Sequence, residues 1–310
     1  MRKKLIVSGD SCTEDDFHSP CHPDWDFEYP KWPNFVADYL DMDLVNLASG
    51  GRGNYFVYST LQDKILNTPK SQIGLVIAGW TQSHRDDWGV GLSMGRKDER
   101  GRSRRAYNQP WRSERVNKNG DLLFWVTRTL RLYIDFQCMC SRFNIPFCHF
   151  QMGDIFETYL DGLRPTEVDR LLGMNDKDDR MRYPGKRERD QSLILDSIAS
   201  YDPFIENFMG WPPLQFQYST NHSLDTYQSL YYWGKQERPV KWTLSDRGGW
   251  NMHEKVLGRT QNEMRKRGLI VSDLDDHPNE EGHKVIADTV IAQIQKMKNE
   301  GTLPLTLGQE

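Results

Sequence analysis

The chain lacks any long apolar run and carries little net charge, and each absence excludes a class of protein. Its 310 residues include 40 Lys and Arg against 44 Asp and Glu, a formal net charge of −4. That balance gives no electrostatic support for binding nucleic acid. No apolar stretch approaches the roughly 20 residues that cross a bilayer, and the three aliphatic residues before Ser8 are too few for a signal-peptide core. We therefore expect a cytoplasmic or virion-associated protein with no signal peptide and no nucleic-acid or membrane partner.

Cysteine is also scarce, and the five that occur form an odd set without the spacing of a disulfide framework: Cys12, Cys21, Cys138, Cys140 and Cys148. Reduced thiols are the simplest interpretation, although a Cys12–Cys21 bridge is an alternative. Cys12, His18, Cys21 and His22 do not follow a common zinc-ligand spacing. We predict no metal site and no cofactor.

Short apolar runs alternate with amphipathic stretches along the chain. Four runs predict buried parallel strands, at residues 5–7, 44–47, 73–78 and 145–150, with a fifth candidate at 269–271. Helices are predicted at residues 32–40, 55–66, 122–143, 253–267 and 282–298, the last with Asn279 as N-cap. Strands that alternate with helices predict one α/β domain whose mostly parallel sheet is covered on both faces.

Two segments interrupt this alternation within the predicted domain of residues 1–310. Residues 86–120 are basic, with nine Lys or Arg against three acidic residues between positions 96 and 118. We interpret them as a solvated loop, with an anion-attracting flap as the alternative. Residues 154–250 have no clear strand or helix period and are too long for a plain loop, so a helical or irregular insertion is predicted.

Residues of a serine nucleophile site occur at opposite ends of the chain. Ser11 follows the first predicted strand and a Gly-Asp turn, which places its hydroxyl at the edge where open α/β sheets bind ligands. A serine nucleophile needs a base and a group that orients that base. His277 is the candidate base, Asp275 the candidate orienting carboxylate, and Asp273 the alternative.

Acyl transfer also needs hydrogen-bond donors for an oxyanion, and two strand ends supply candidates. Residues 49–54, Ser-Gly-Gly-Arg-Gly-Asn, follow the second predicted strand and precede a helix. A dinucleotide-binding loop is the competing interpretation, but Phe56 stands where that motif needs its third glycine. The third predicted strand ends in Gly-Trp-Thr-Gln at residues 79–82, again at the same sheet edge.

Four blocks in this order resemble those of the SGNH (GDSL) hydrolases: residues 9–11, 46–54, 79–81 and 277–279. The resemblance covers residues 3–82 and 269–297 and implies a flavodoxin-like, doubly wound three-layer α/β/α sandwich. It implies Ser11 as nucleophile, His277 as general base, and the N–H groups of Ser11 and Gly51 as oxyanion donors. Thr81 stands where the family usually has an oxyanion-binding asparagine, with Gln82 as the alternative donor. Leu274 stands where the family usually has its aspartate.

These features predict a serine esterase that works through an acyl-enzyme intermediate, with the O-acetyl groups of a polysaccharide as the expected substrate. Arg85 and Trp80 are candidate substrate-binding residues, although Arg85 equally suits bracing of the loop. The Gly-Trp-Thr block with Arg85 resembles divergent members from phage and environmental bacteria. The alternative is therefore a weakly active or non-catalytic protein on this scaffold, for example a virion component.

Overall fold

The structure is a computed structural model that describes residues 2–19, 21–83, 85, 87, 122–153, 197–198, 200–211, 252–258 and 261–305. Nearly all of the predicted basic loop at 86–120 lies outside the described residues. So does most of the predicted insertion at 154–250, apart from residues 197–198 and 200–211. The statements below concern the described residues.

Five parallel strands form the central sheet, in the order β2-β1-β3-β4-β5. They are β1 (Lys4–Ser8), β2 (Asp43–Asn46), β3 (Ile73–Trp80), β4 (Phe147–Gln151) and β5 (Phe208–Met209). The order reverses direction between β1 and β3, as in flavodoxin-like doubly wound sheets, which place ligands outside the carboxyl ends of the strands at that point. The predicted parallel α/β sheet is confirmed.

Helices cover both faces of the sheet. The helices are α1 (Trp32–Leu40), α2 (Asn54–Leu66), α3 (Leu122–Arg142), α4 (Gln261–Lys266) and α5 (Glu280–Asn299), and a π-helical turn spans Met252–Leu257. On one face, Leu5 and Val7 of β1 pack in a core with α1 and α5. On the other face, Ile6 packs in a core with α2 and α3. Side chains alternate between the faces of a strand, so β1 feeds both cores and the sandwich has three layers.

The structure corrects three details of the predicted element pattern. The fifth strand of the sheet is β5, which lies inside the predicted insertion. Residues near 269–271 instead form β6 (Ile270–Ser272), which pairs antiparallel with β7 (Asp275–Pro278) outside the main sheet. The helix predicted at 253–267 is divided into the π-helical turn and α4.

The last helix begins as its sequence predicts. The side chain of Asn279 accepts a hydrogen bond from the N–H of Gly282 at 2.9 Å and so caps α5. Acidic residues in the first turn and Lys296 and Lys298 in the last suit the helix dipole. This cap matters for the site because β7 runs directly into α5, so the start of the helix fixes the end of the strand.

Within the described part of the chain, no helix combines the length and apolar character needed to cross a bilayer.

Candidate active site

The turn after β1 presents Ser11 at the carboxyl end of the sheet. The carbonyl oxygen of Asp10 accepts hydrogen bonds from the N–H groups of Thr13 and Glu14, at 2.9 and 3.1 Å. The Asp10 carboxylate accepts a third bond from the N–H of Cys12 at 3.0 Å. A Cβ at Gly9 would lie 2.5 Å from the Thr13 hydroxyl oxygen, so only glycine fits this turn. Asp10 therefore holds the backbone of the residues that follow Ser11.

His277 lies between Ser11 and Asp275. Its Nε2 is 2.7 Å from the Ser11 hydroxyl oxygen, and its Nδ1 is 2.5 Å from Oδ1 of Asp275. The two side chains share one face of β7 because they are two residues apart on a strand. The backbone N–H of His277 also donates to Asp275 Oδ1, at 3.1 Å. The structure thus brings the predicted nucleophile, base and orienting carboxylate into one hydrogen-bonded chain.

Asp275 is buried, with 4% of its surface exposed. Burial raises the pKa of this carboxyl, but hydrogen bonds from the His277 side chain, from Ser19 and from the His277 backbone, together with the charge of His277, outweigh that effect and bring the pKa to about 2. Asp275 is therefore ionised at any pH near neutrality and accepts from the His277 ring. The alternative carboxylate, Asp273, is instead exposed and forms an ion pair with Arg265.

Phe17 packs against the ring of His277, a contact that the sequence did not predict. Its ring centroid lies 4.4 Å from that of His277, and Phe17 is buried. Phe17 also packs edge-on against Phe27. An aromatic residue six positions after Ser11 has no motif spacing to mark it, because the contact with His277 spans most of the chain.

A glycine loop, residues 49–53, lies beside Ser11. A Cβ built on Gly50 would be 3.5 Å from the Cβ of Ser11, so the loop passes within contact of the nucleophile. Gly51 has a φ of 69°, in the left-handed region that favours glycine. In the part of the chain that the structure describes, nothing accepts a hydrogen bond from the N–H of Ser11 or of Gly51.

The structure does not support Thr81 as a third oxyanion donor. Its hydroxyl donates to Oδ2 of Asp10 at 2.8 Å, and its backbone N–H donates to the Asn54 side chain at 2.8 Å. Thr81 is fully buried, so both of its donors serve the protein interior. Gln82, the alternative, uses its side-chain oxygen to accept from Arg85. Among the described residues, none accepts a hydrogen bond from the Gln82 amide nitrogen.

Of the two predicted substrate-binding residues, Arg85 braces the site and Trp80 lies in the core. Arg85 donates to Gln82 at 2.9 Å, to the carbonyl of Arg52 at 3.4 Å, and forms an ion pair with Asp10 at 3.6 Å. Trp80 has no exposed surface, and its indole N–H donates to His149 at 2.9 Å. Trp80 therefore lies in the core, because β3 is buried on both faces.

The described residues contain one group of side chains close enough to share a metal ion, formed by Asp275, Asp276 and His277. In this group Asp275 and His277 already bond to each other, and the second ring nitrogen of His277 faces Ser11. Cys21 and His22, from the zinc candidate weighed on sequence grounds, turn instead to the β6–β7 hairpin. Cys21 contacts the carbonyl of Leu274, and His22 lies 2.5 Å from the Ser272 hydroxyl.

Comparisons with known proteins found 13 similar chains among the solved structures, including the three that follow, whereas no family model and no curated protein matches the chain. A lipolytic protein of the G-D-S-L family from Desulfitobacterium hafniense shares 10% identity at a TM-score of 0.42, covering 94% of this chain and 99% of that chain. An acetyl xylan esterase shares 10% identity at a TM-score of 0.36, and the match covers 94% of this chain and 99% of that chain. An alpha/beta hydrolase from the metagenome of Lake Arreo, Spain, shares 13% identity at a TM-score of 0.32, over 94% of each chain. Because these three TM-scores are below 0.5, the fold assignment rests on the strand order of the sheet.

Proposed function

We propose that the protein is a serine esterase of SGNH type that hydrolyses an ester through an acyl-enzyme intermediate. The observation that carries the proposal is the unbroken chain of short contacts from the Ser11 hydroxyl through His277 to Asp275. A serine hydroxyl is a weak nucleophile until a base takes its proton, and this arrangement supplies the base and orients it.

The reaction follows from the positions of these three groups. Ser11 Oγ attacks the ester carbonyl carbon while its proton passes to Nε2 of His277. Asp275 accepts a hydrogen bond from Nδ1–H, which keeps Nε2 free as base and stabilises the positive ring. His277 then protonates the leaving alcohol as the carbon–oxygen bond breaks. A water, deprotonated by His277, attacks the acyl-enzyme and releases the acid and Ser11.

The oxyanion formed in each half-reaction needs donors that are already in place. We assign that role to the N–H groups of Ser11 and Gly51, with the side-chain amide of Gln82 as third donor in place of Thr81. Removal of a single donor of this kind costs about 2.7–4 kcal/mol of transition-state stabilisation. Gln82→Ala should therefore lower kcat by about 100-fold or more if its amide fills this position.

Hydrolysis of a short-chain aryl ester tests the proposal directly. We expect turnover and labelling by a fluorophosphonate probe in the wild type, loss of both in Ser11→Ala, and no change in Ser200→Ala. Ser200 is an exposed serine outside the site and serves as the matched control. Turnover that survives in Ser11→Ala refutes the assignment. A wild type that neither turns over nor reacts with the probe favours the alternative, a non-catalytic or structural protein on this scaffold.

For the substrate we propose the O-acetyl groups of a polysaccharide. Trp25 is 52% exposed and stacks on His22, which contacts the β6–β7 hairpin that carries His277. An exposed indole offers a broad apolar face against which a sugar ring can pack. We expect Trp25→Ala to raise KM for acetylated polysaccharides and to leave the KM for aryl acetate unchanged. Phe204→Ala, at an aromatic residue 64% exposed beside β5, is the control. An equal effect of Trp25→Ala on both substrates contradicts the polysaccharide proposal.

A further inference from the structure

Glu14 joins the turn that presents Ser11 to the glycine loop. Its backbone N–H donates to the carbonyl of Asp10, which makes it part of the nucleophile turn. Its side chain is buried, with 7% exposed, and Oε2 accepts a hydrogen bond from the N–H of Gly50 at 2.8 Å. One residue therefore belongs to the turn and bonds to the middle of the loop.

The ends of the glycine loop are held by other contacts. The N–H of Ser49 donates to the carbonyl of Gly9 at 3.2 Å, and the N–H of Gly53 donates to the Asp87 carboxylate at 2.6 Å. Between these anchors lie two glycines, which have the widest backbone freedom of any residue. The bond from Gly50 to Glu14 holds the loop one residue before the N–H of Gly51, and Arg85 holds the carbonyl of Arg52 one residue after it.

Glu14 is a buried carboxyl group beside the nucleophile turn, so its presence calls for a geometric reason. Burying such a group costs free energy unless it is hydrogen-bonded. In return, hydrogen bonds to charged acceptors are shorter and about twice as strong as neutral ones. The hydrogen bond to Glu14 thus orients the peptide of Gly50 beside the nucleophile.

We propose that Glu14 is a positioning residue, which sets the spacing between the two backbone oxyanion donors by holding the glycine loop against the nucleophile turn. This inference rests on the proposed esterase activity. It predicts that the hydrogen-bond acceptor of Glu14, rather than its negative charge, supports kcat. A misplacement of about 1 Å at a reacting group can cost about 100-fold in rate, so loss of this bond falls on turnover rather than on substrate binding.

Two variants separate the acceptor from the side-chain volume. Glu14→Gln keeps an acceptor oxygen, whereas Glu14→Met keeps similar volume and has none. We expect Glu14→Met to lower kcat for an aryl acetate by about 10- to 100-fold with KM within about threefold. Glu14→Gln should remain within about fivefold of wild type. Asp16→Ala removes an equal charge from an exposed position two residues further on and should change kcat less than about twofold.

Amide hydrogen exchange gives a readout that does not depend on turnover. The Gly50 amide should be protected in the wild type and in Glu14→Gln, and exchange at least about 10-fold faster in Glu14→Met. If Glu14→Met does not fold, exchange in the wild-type protein tests the inference instead. It requires the Gly50 amide, which bonds to Glu14, to exchange slowly and the Gly51 amide to exchange fast.

The inference is overturned by a Glu14→Met enzyme with wild-type kcat, by a Glu14→Gln enzyme as slow as Glu14→Met, or by an unprotected Gly50 amide. Failure of the proposed esterase activity looks different, since the wild type itself would then be inactive toward both ester and probe.

Discussion

Replacing Asp275 by Asn changes one atom of the candidate site and reverses its hydrogen-bond polarity. In the wild type, Asp275 Oδ1 lies 2.5 Å from Nδ1 of His277 and also accepts from the His277 backbone N–H. An Asn that presents its NH2 group to Nδ1 stabilises the tautomer with its proton on Nε2. That tautomer directs an N–H at Ser11 and cannot accept the serine proton.

Asp275→Asn lowers the rate in two ways: it removes a charge-assisted hydrogen bond, and it favours the wrong tautomer of His277. Loss of a charge-assisted hydrogen bond alone is worth about 1.5–3 kcal/mol, which is about 10- to 150-fold in rate. The wrong tautomer costs more, and the same exchange lowers kcat about 10⁴-fold in a serine protease with this triad. Because Asp275 is buried and its carboxylate faces the ring directly, we expect a loss of 10³- to 10⁴-fold.

The assay is steady-state hydrolysis of an aryl acetate, with kcat and KM separated, in Asp275→Asn and in Asp273→Asn. Asp273 is the matched control because it is exposed and pairs with Arg265, so its variant should stay within about twofold of wild type. A kcat in Asp275→Asn within tenfold of wild type would refute the reasoning. So would a larger loss in Asp273→Asn, which would move the orienting role to that carboxylate.

The Asp275 carboxylate should also affect how the free energy of unfolding depends on pH under acidic conditions. Its pKa is lowered from 3.8 to about 2, so the native state holds Asp275 ionised at a pH where the unfolded chain protonates it. The resulting stabilisation is complete above about pH 4 and is lost as the pH falls towards 2. We expect the free energy of unfolding of the wild type to fall more steeply over this range than that of Asp275→Asn, as measured with urea. Parallel curves would contradict the lowered pKa.

Three further changes test residues around the site: Phe17, Gly50 and Lys31, whose buried amine donates to the carbonyl of Phe27. Phe17→Ala should remove the ring packed against His277, lowering kcat about tenfold and stability by about 3–5 kcal/mol, whereas Phe17→Leu should retain most of both. Gly50→Ala should lower kcat at least about tenfold in the same assay, because its Cβ would lie 2.8 Å from the Glu14 carboxylate. Burial lowers the pKa of Lys31 from 10.5 to about 8, so the unfolding free energy should rise between pH 8 and 10.5, and Lys31→Met should abolish that rise.

The sheet was predictable from sequence because its inner strands are continuous apolar runs. All eight residues of β3 are buried, and β1 is buried from Leu5 to Ser8. By contrast, β5 has two residues, too few for any hydrophobic period to appear. The run at 269–271 has the composition of a buried parallel strand, but a two-residue turn pairs it with β7 as a hairpin. Composition does not reveal a strand's partner.

The predicted site residues meet where the sequence placed them, and the failures occur where a long-range partner decides the role. Ser11 follows β1 at the carboxyl end of the main sheet, and the β6–β7 hairpin, outside that sheet, brings Asp275 and His277 to it. Thr81 has the right position for an oxyanion donor, but Asp10 and Asn54 take both of its hydrogens. Trp80 follows five apolar residues of β3, and its indole bonds to His149 on the neighbouring strand. Neither partner is visible from the local pattern.

The two-residue spacing of Asp275 and His277 has a consequence for how this site can change over time. On an extended strand, side chains return to the same face at every second residue, so carboxylate and imidazole stay paired only at even spacings. A single-residue insertion or deletion between them would send the carboxylate to the opposite face of the hairpin and separate the pair in one step. In this hairpin the pairing of Asp275 with His277 therefore depends on the length of the segment between them as well as on the identity of the two residues.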